Sequence, residues 1–136
     1  MIKKILLLSL LTLLLSACGE PPPYTNIANK DIKSLQAQGI ALYDVRRKEE
    51  WRETGVIAGS RLLTFTDESG RVKPNFLETL TREVDKNQPV MLICRTGNRT
   101  NVLARHLVDQ MGYTQVYNVQ HGIAHWIRKD LPVSRP

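Results

Sequence analysis

An unbroken apolar run, Val90-Met91-Leu92-Ile93, constrains the fold more than any other feature of this chain. A strand with one face in water alternates apolar and polar residues, whereas a strand buried on both faces reads as a continuous apolar run. Strands of the second kind belong to parallel sheets that helices cover on both faces. The run therefore predicts a central strand in a three-layer α/β domain.

The rest of the sequence alternates apolar clusters with helical patterns, as such a domain requires. With 136 residues there is room for one domain. We expect a charged turn at Glu49, Glu50 and Trp51, and Asn29 as the cap of the first helix. The predicted strands lie at residues 24–28, 40–45, 60–63, 89–93 and 115–119, and the predicted helices begin after Asn29, at Pro74, at Thr100 and at Gly122.

The N-terminus has the pattern of a secretory signal. Lys3 and Lys4 precede an apolar run, residues 5–15, that is too short to span a bilayer. We expect a signal peptide over residues 1–17, a proline-rich tether over residues 18–23 and the folded domain over residues 24–136. Consecutive prolines favour an extended, stiff conformation for the tether.

The segment Leu15-Ser16-Ala17-Cys18 resembles a bacterial lipobox, whose cysteine is lipidated and becomes the first mature residue. The resemblance implies a lipoprotein that is anchored through Cys18 in the cell envelope and faces the periplasm. Gly19, where some lipoproteins have aspartate, leans towards the outer membrane, but the choice of membrane stays open. The alternative is an ordinary signal that is cleaved nearby.

The formal net charge of the chain is +6, to which the two lysines of the signal contribute +2. A modestly basic domain favours small anions or anionic membrane surfaces. No basic stripe is interleaved with aromatic residues, so we expect no nucleic-acid partner.

Only two cysteines are present, and lipidation would consume Cys18. Exported proteins normally use cysteines in pairs as disulfides. With Cys18 lipidated, Cys94 would have no cysteine left to pair with. A lone cysteine of this kind is either an inert core residue or a reactive thiol.

The surroundings of Cys94 favour the reactive thiol. The residue follows a central strand directly, at the edge where open α/β sheets bind their ligands. Its loop leads into a helix N-terminus, whose backbone N–H groups and dipole stabilise an anion such as a thiolate. Arg95 and Arg99 add positive charge, and Gly97 permits a backbone conformation that other residues resist. These residue types are suited to holding a sulfur anion.

The loop C-R-T-G-N-R-T, residues 94–100, resembles the active loop of rhodanese domains, often written C-R-x-G-x-R-[ST]. Three further blocks match that family in the same order. They are Y-D-V-R at residues 43–46 with Glu50-Trp51 behind it, G-V-I-A-G-S at residues 55–60, and N-V-Q-H-G-I-A-H-W at residues 118–126 followed by L-P-V. Together they span about residues 24–133.

This resemblance implies five mainly parallel strands with helices on both faces, and a two-step sulfur transfer without a cofactor or metal. Cys94 would take the outer sulfur of an anionic donor such as thiosulfate, and a thiophilic acceptor would remove it. Cyanide, a small thiol or a protein cysteine could serve as acceptor. The donor-binding residues implied are Arg95, Thr96, Gly97, Asn98 and Arg99.

Asp44, Arg46 and Thr100 are implied as supporting residues of the same loop. Asp44 could pair with Arg99 or with Arg46 and so set the shape of the loop. An equally good interpretation makes Asp44 and Arg46 an ion pair that holds the fold and takes no part in chemistry.

The sequence departs from the family pattern at Val56, where histidine is common, and at His121, where glycine is common.

Related folds carry phosphatases with five residues between cysteine and arginine, but only four separate Cys94 from Arg99, which disfavours that activity. A non-catalytic binding module is the main alternative. His121 and His125 could form a metal pair, but a third ligand is lacking.

Overall fold

The computed structural model describes residues 19–136 of the chain. The predicted signal peptide and Cys18 lie outside the described residues. The elements are β1 (Thr25–Ile27), α1 (Asn29–Ala37), β2 (Ala41–Asp44), α2 (Lys48–Thr54), β3 (Arg61–Leu62), α3 (Phe76–Glu83), β4 (Val90–Ile93), α4 (Asn98–Asp109), β5 (Val116–Val119) and α5 (Gly122–Arg128).

The five strands form one sheet in the order β1-β5-β4-β2-β3, and every pair is parallel. This confirms the predicted α/β class. β4 lies at the centre, where Ile93 is level with Asp44 of β2, and Leu92 is level with Asn118 of β5. The carboxyl ends of these three strands therefore meet at one edge of the sheet, directly beside Cys94.

Helices cover both faces of the sheet and bury two separate cores. On one face, α1 and α5 contribute Ile32, Ile123 and Trp126 to a core with Met91 and Ile93. On the other face, α3 and α4 bring side chains such as those of Leu80 and Leu103 onto the opposite side of β4. Because β4 faces a core on both sides, all four of its side chains are fully buried. Burial on both faces therefore explains the uninterrupted apolar run at residues 90–93.

Several predicted boundaries were wrong. The charged turn at residues 49–51 is part of a helix, α2, whose start is stabilised by the Glu50 carboxylate accepting the Arg47 N–H at 2.9 Å. Asn29 is the first residue of α1 and not its cap, which is Ala28. α3 begins at Phe76 rather than at Pro74. α4 begins at Asn98, so Arg99 lies inside the helix and not before it.

None of the helices among residues 19–136 is long and apolar enough to cross a membrane.

Candidate functional site

Cys94 directly follows β4 and is 1% exposed. Its Sγ accepts a hydrogen bond from the Gly97 backbone N–H at 3.2 Å, and the Thr100 hydroxyl lies 3.4 Å from it. The loop therefore turns back on itself, so that the start of α4 faces the sulfur. This is the strand-loop-helix arrangement that the sequence predicts.

The segment from Cys94 into α4 carries further backbone N–H groups. The first N–H groups of a helix have no acceptor within that helix, and those of Asn98 and Arg99 open α4. Within residues 19–136, these two groups and the N–H groups of Arg95 and Thr96 donate to no protein acceptor. They can therefore bind an anionic sulfur species or the oxygens of its donor.

The N-terminus of α5 supports the loop from behind. Its Ile123 N–H donates to the Cys94 carbonyl at 2.9 Å, and its Ala124 N–H donates to the Arg95 carbonyl at 3.0 Å. Gly122 lies against the loop backbone, since a Cβ there would come within 2.3 Å of the Arg95 carbonyl oxygen. The shape of the loop is thus fixed by backbone contacts with a neighbouring helix.

The charge beside the loop is organised by a residue that sequence reasoning missed. Arg99 forms two hydrogen bonds with the carboxylate of Glu50, at 2.7 and 2.8 Å. Asp44 was a predicted partner of Arg99, but Glu50 forms this ion pair in the structure. The only signal was the presence of Glu50 in a block of the family pattern, because no local rule links residues 49 positions apart.

This ion pair gives the stability of the domain a dependence on acid pH. Burial alone would raise the pKa of Glu50, but the hydrogen bonds from Arg99 and from the Arg47 N–H outweigh burial and lower the pKa from 4.5 to about 2. A carboxyl whose pKa falls on folding stabilises the fold above its unfolded pKa and loses that contribution as the pH falls towards its folded pKa. We therefore expect Glu50→Gln to lower the free energy of unfolding by about 1–2 kcal/mol at pH 7, allowing for solvent near Arg99. The difference from wild type should vanish between pH 4.5 and 2.

Urea unfolding across that pH range measures this difference. Glu78→Gln is the matched control, because it removes an exposed ion pair with Arg82 and should change the unfolding free energy by less than about 1 kcal/mol. A Glu50→Gln deficit that stays constant down to pH 2 would contradict the assignment.

Asp44 pairs with Arg46, one of the two predicted partners. The carboxylate accepts from Arg46 Nη2 at 2.7 Å, from Arg46 Nε at 2.9 Å and from Trp51 Nε1 at 3.1 Å. Both members of the pair are at most 1% exposed. The geometry is that of an ion pair joining β2 to α2, which matches the fold-holding interpretation.

The remaining loop residues differ in how they are placed. Arg95, Thr96 and Asn98 are exposed at the surface of the loop. Among the described residues, the Arg95 guanidinium has no hydrogen-bond or ion-pair partner, whereas Arg99 is bound to Glu50. Arg95 is therefore the loop arginine that is free to meet an incoming anion.

Thr100 connects Cys94 to Asn118, a residue that was not predicted to belong to the site. Its hydroxyl lies 2.6 Å from Oδ1 of Asn118, which is 3% exposed on β5. The amide nitrogen of Asn118 donates to Asn26 Oδ1 at 3.0 Å. Asn118 opens the last block of the family pattern, which was the one signal that could have identified it.

His121 and His125 lie edge to face, with ring centroids 5.5 Å apart. His125 Nδ1 is 3.2 Å from the amide nitrogen of Asn29. Across residues 19–136 no group of three histidine, cysteine or acidic side chains is placed to hold a metal ion. Val56, the other departure, is buried and exchanges backbone hydrogen bonds with Ser134.

Comparisons with known proteins agree with this geometry. The family model described as Rhodanese-like domain matches residues 28–129. Rhodanese-like domain-containing protein 17 of Arabidopsis thaliana is 26% identical over 122 residues, covering 87% of this chain and 77% of that protein. Thiosulfate sulfurtransferase GlpE of Pseudomonas syringae pv. syringae is 25% identical over 103 residues, covering 76% of this chain and 87% of that protein.

The solved structure of the polysulfide-sulfur transferase homodimer from Wolinella succinogenes has the same fold. It superposes with a TM-score of 0.64 at 22% identity, covering 82% of this chain and 79% of that one. The family model spans residues 28–129, which is most of the chain. This chain belongs to the rhodanese-like domain family.

Proposed function

We propose that this chain is a sulfurtransferase that carries sulfane sulfur as a persulfide on Cys94. The observation that carries the proposal is the position of Sγ, which lies 3.2 Å from the Gly97 N–H at the start of α4. Backbone donors that are already in place stabilise a sulfur anion without reorganising during the reaction. The similarity to a thiosulfate sulfurtransferase supports the same role.

The proposed reaction has two steps. The Cys94 thiolate attacks the outer sulfur of thiosulfate, forming a new S–S bond while the S–S bond of thiosulfate breaks and sulfite leaves. Cyanide or a thiolate then attacks the outer sulfur of the persulfide, and the Cys94 thiolate is released. Neither step requires an external oxidant or reductant, and neither requires a cofactor. The loop N–H groups and Arg95 would hold the negative charge of the donor and of the persulfide.

Formation of thiocyanate from thiosulfate and cyanide tests this proposal. We expect turnover by the purified chain and none by Cys94→Ser. Phosphate-ester hydrolysis that depends on Cys94, in the absence of thiocyanate formation, would overturn the proposal in favour of a phosphatase.

The second candidate is a non-catalytic binding module in the cell envelope. The observation that favours it is the burial of Cys94, which is 1% exposed. A folded chain that forms no thiocyanate and takes no sulfur from thiosulfate, polysulfide or a persulfide donor would support this candidate. An intact cysteine, arginine and glycine in the loop favour catalysis.

Arg95 is expected to contribute to donor binding rather than to the fold. Because its guanidinium is exposed and has no hydrogen-bond partner among residues 19–136, Arg95→Gln should raise the KM for thiosulfate by about tenfold, the effect of losing one charge-assisted hydrogen bond. Arg82→Gln, at an exposed arginine on α3, is the control and should leave KM unchanged. An unchanged KM in Arg95→Gln would show that the donor binds without this side chain.

We also propose that residues 1–17 are removed and that Cys18 carries a lipid anchor in the bacterial envelope. The support is the signal pattern and the proline-rich segment that leads into β1. Because all strands are parallel, this segment enters at the opposite edge of the sheet from Cys94. Radiolabelled palmitate should label the wild type and Cys94→Ser but not Cys18→Ser. Equal labelling of both variants would contradict the anchor.

A further inference from the structure

The Thr100 hydroxyl lies between a reactive sulfur and an amide oxygen. It is 3.4 Å from Cys94 Sγ, 2.6 Å from Asn118 Oδ1 and 3.3 Å from the Gly97 carbonyl oxygen. A hydroxyl has one proton to donate and two lone pairs. Only one of these three acceptors can therefore receive a full hydrogen bond from Thr100.

The distances assign that proton to Asn118. At 2.6 Å, the contact between the two oxygens is as short as strong O–H···O hydrogen bonds are. Asn118 presents its oxygen because its amide nitrogen donates to Asn26 at 3.0 Å. The lone pairs of Thr100 then face Cys94, where they can accept the S–H of a thiol but offer no donor to a thiolate.

Burial makes the direction of this hydrogen bond important. Cys94, Thr100 and Asn118 are 1%, 0% and 3% exposed. An amide oxygen buried this deeply loses stability when its donor turns away, because water cannot replace the donor. If the Thr100 hydroxyl turned towards a Cys94 thiolate, the buried Asn118 oxygen would be left without its hydrogen-bond donor.

We propose that Asn118 is a positioning residue that holds the Thr100 proton away from Cys94 and so favours the thiol over the thiolate in the resting protein. The proposal rests on the proposed function, in which the thiolate is the attacking species. Asn118 thereby opposes the Gly97 N–H, whose hydrogen bond to Sγ favours the thiolate, and ionisation releases the S–H proton to solvent before Cys94 attacks the donor. Once the persulfide has formed, Sγ is a neutral bridging atom and the bond from Thr100 to Asn118 is compatible with it.

The effect of Asn118 on Cys94 can be separated from the effects of the charged groups around the sulfur. Arg99 on α4 is paired with Glu50 on α2, and Asp44 on β2 is paired with Arg46. Arg95 lies in the loop itself, and α5 supplies backbone N–H groups after His121. Replacing Asn118 with a neutral residue changes none of these charges.

The test is the pH dependence of Cys94 alkylation by iodoacetamide, followed on the peptide that contains Cys94. In Asn118→Ala the Thr100 hydroxyl is free to donate to the thiolate, so the profile should move to lower pH. Below the wild-type midpoint, the rate should rise about tenfold, the effect of one hydrogen bond to a charged acceptor. Asn118→Leu, which keeps the volume of the side chain, should behave in the same way if the smaller residue impairs folding.

Two further variants separate positioning from a structural role. In a Thr100→Val background no hydroxyl remains to be redirected, so adding Asn118→Ala should leave the alkylation profile unchanged. Asn101→Ala is the matched control, because Asn101 accepts a hydrogen bond from Tyr24 and makes none with Thr100. Its profile should match that of the wild type.

An unchanged profile in both Asn118 variants, a move to higher pH, or the same shift in the Thr100→Val background would overturn the proposal. Alkylation involves no sulfur donor or acceptor. The effect of Asn118 on alkylation can therefore be absent while sulfur transfer is observed, and the alkylation profile can shift as predicted while no sulfur is transferred, so the two failures are distinguishable.

Discussion

Gly97→Ala is expected to reduce thiocyanate formation at least about a hundredfold and to lower the free energy of unfolding by about 2–5 kcal/mol. Gly97 has a φ of +95°, a conformation that residues with a Cβ resist. A Cβ at this position would also lie 2.1 Å from the Gln120 carbonyl oxygen. That oxygen belongs to the backbone between β5 and α5, so the loop must move instead. Movement displaces the Gly97 N–H from Sγ, and displacements of about 1 Å at a reacting centre cost activity steeply.

Gly39→Ala separates the two causes. Gly39 has a φ of +84°, but a Cβ there would have no neighbour within 4 Å. This control should show a loss of about 1–2 kcal/mol from backbone strain with normal sulfur transfer in the folded protein. Urea unfolding and the thiocyanate assay measure both effects. A Gly97→Ala protein as active and as stable as Gly39→Ala would show that the loop does not depend on its contact with Gln120.

Asp44→Ala is expected to lower the free energy of unfolding by about 3–5 kcal/mol, because it leaves a buried charge without its partner. Arg46 is 1% exposed and would keep only neutral acceptors, namely Thr54 Oγ1 at 2.8 Å and the carbonyl oxygens of Gly55 and Glu50 at 3.0 and 3.4 Å. The Trp51 indole N–H would lose its acceptor as well. Domains are stable by only about 5–15 kcal/mol, so a loss of this size brings the domain close to unfolding.

Asp67→Ala is the control for this prediction. Asp67 pairs with Arg71 at 3.0 Å, but this pair is largely exposed. Because solvent can replace the hydrogen bonds of an exposed carboxylate, its removal should change the free energy of unfolding much less than removal of Asp44 does. Asp44 and Asp67 variants of equal stability in urea would contradict the view that the buried pair joins β2 to α2.

The sequence was sufficient to predict the elements that carry a strong local pattern. β4 could be predicted because burial on both faces leaves it without polar residues. α5 could be predicted because Gly122 marks its beginning. The helix of residues 48–54 was missed because it is only seven residues long and has one large apolar side chain, Trp51, which leaves no helical period to detect. Its one local sign was the carboxylate of Glu50, three residues after the cap.

The candidate site divides in the same way. Cys94, Gly97 and the arginines lie in one continuous segment, so their chemistry could be predicted from residue types and spacing. Glu50 and Asn118 reach that segment from α2 and β5, through contacts that depend on the packing of the whole sheet. A local pattern cannot specify such contacts, and the choice between Arg99 and Arg46 as the partner of Asp44 was decided by the fold.

The most direct test of the central claim is the mass of the Cys94 peptide after the chain has been incubated with thiosulfate and then freed of it. We predict a gain equal to one sulfur atom on Cys94, its loss on addition of cyanide with release of thiocyanate, and no gain in Cys94→Ser. A folded chain whose Cys94 peptide keeps its original mass with thiosulfate, polysulfide and persulfide donors would contradict the account.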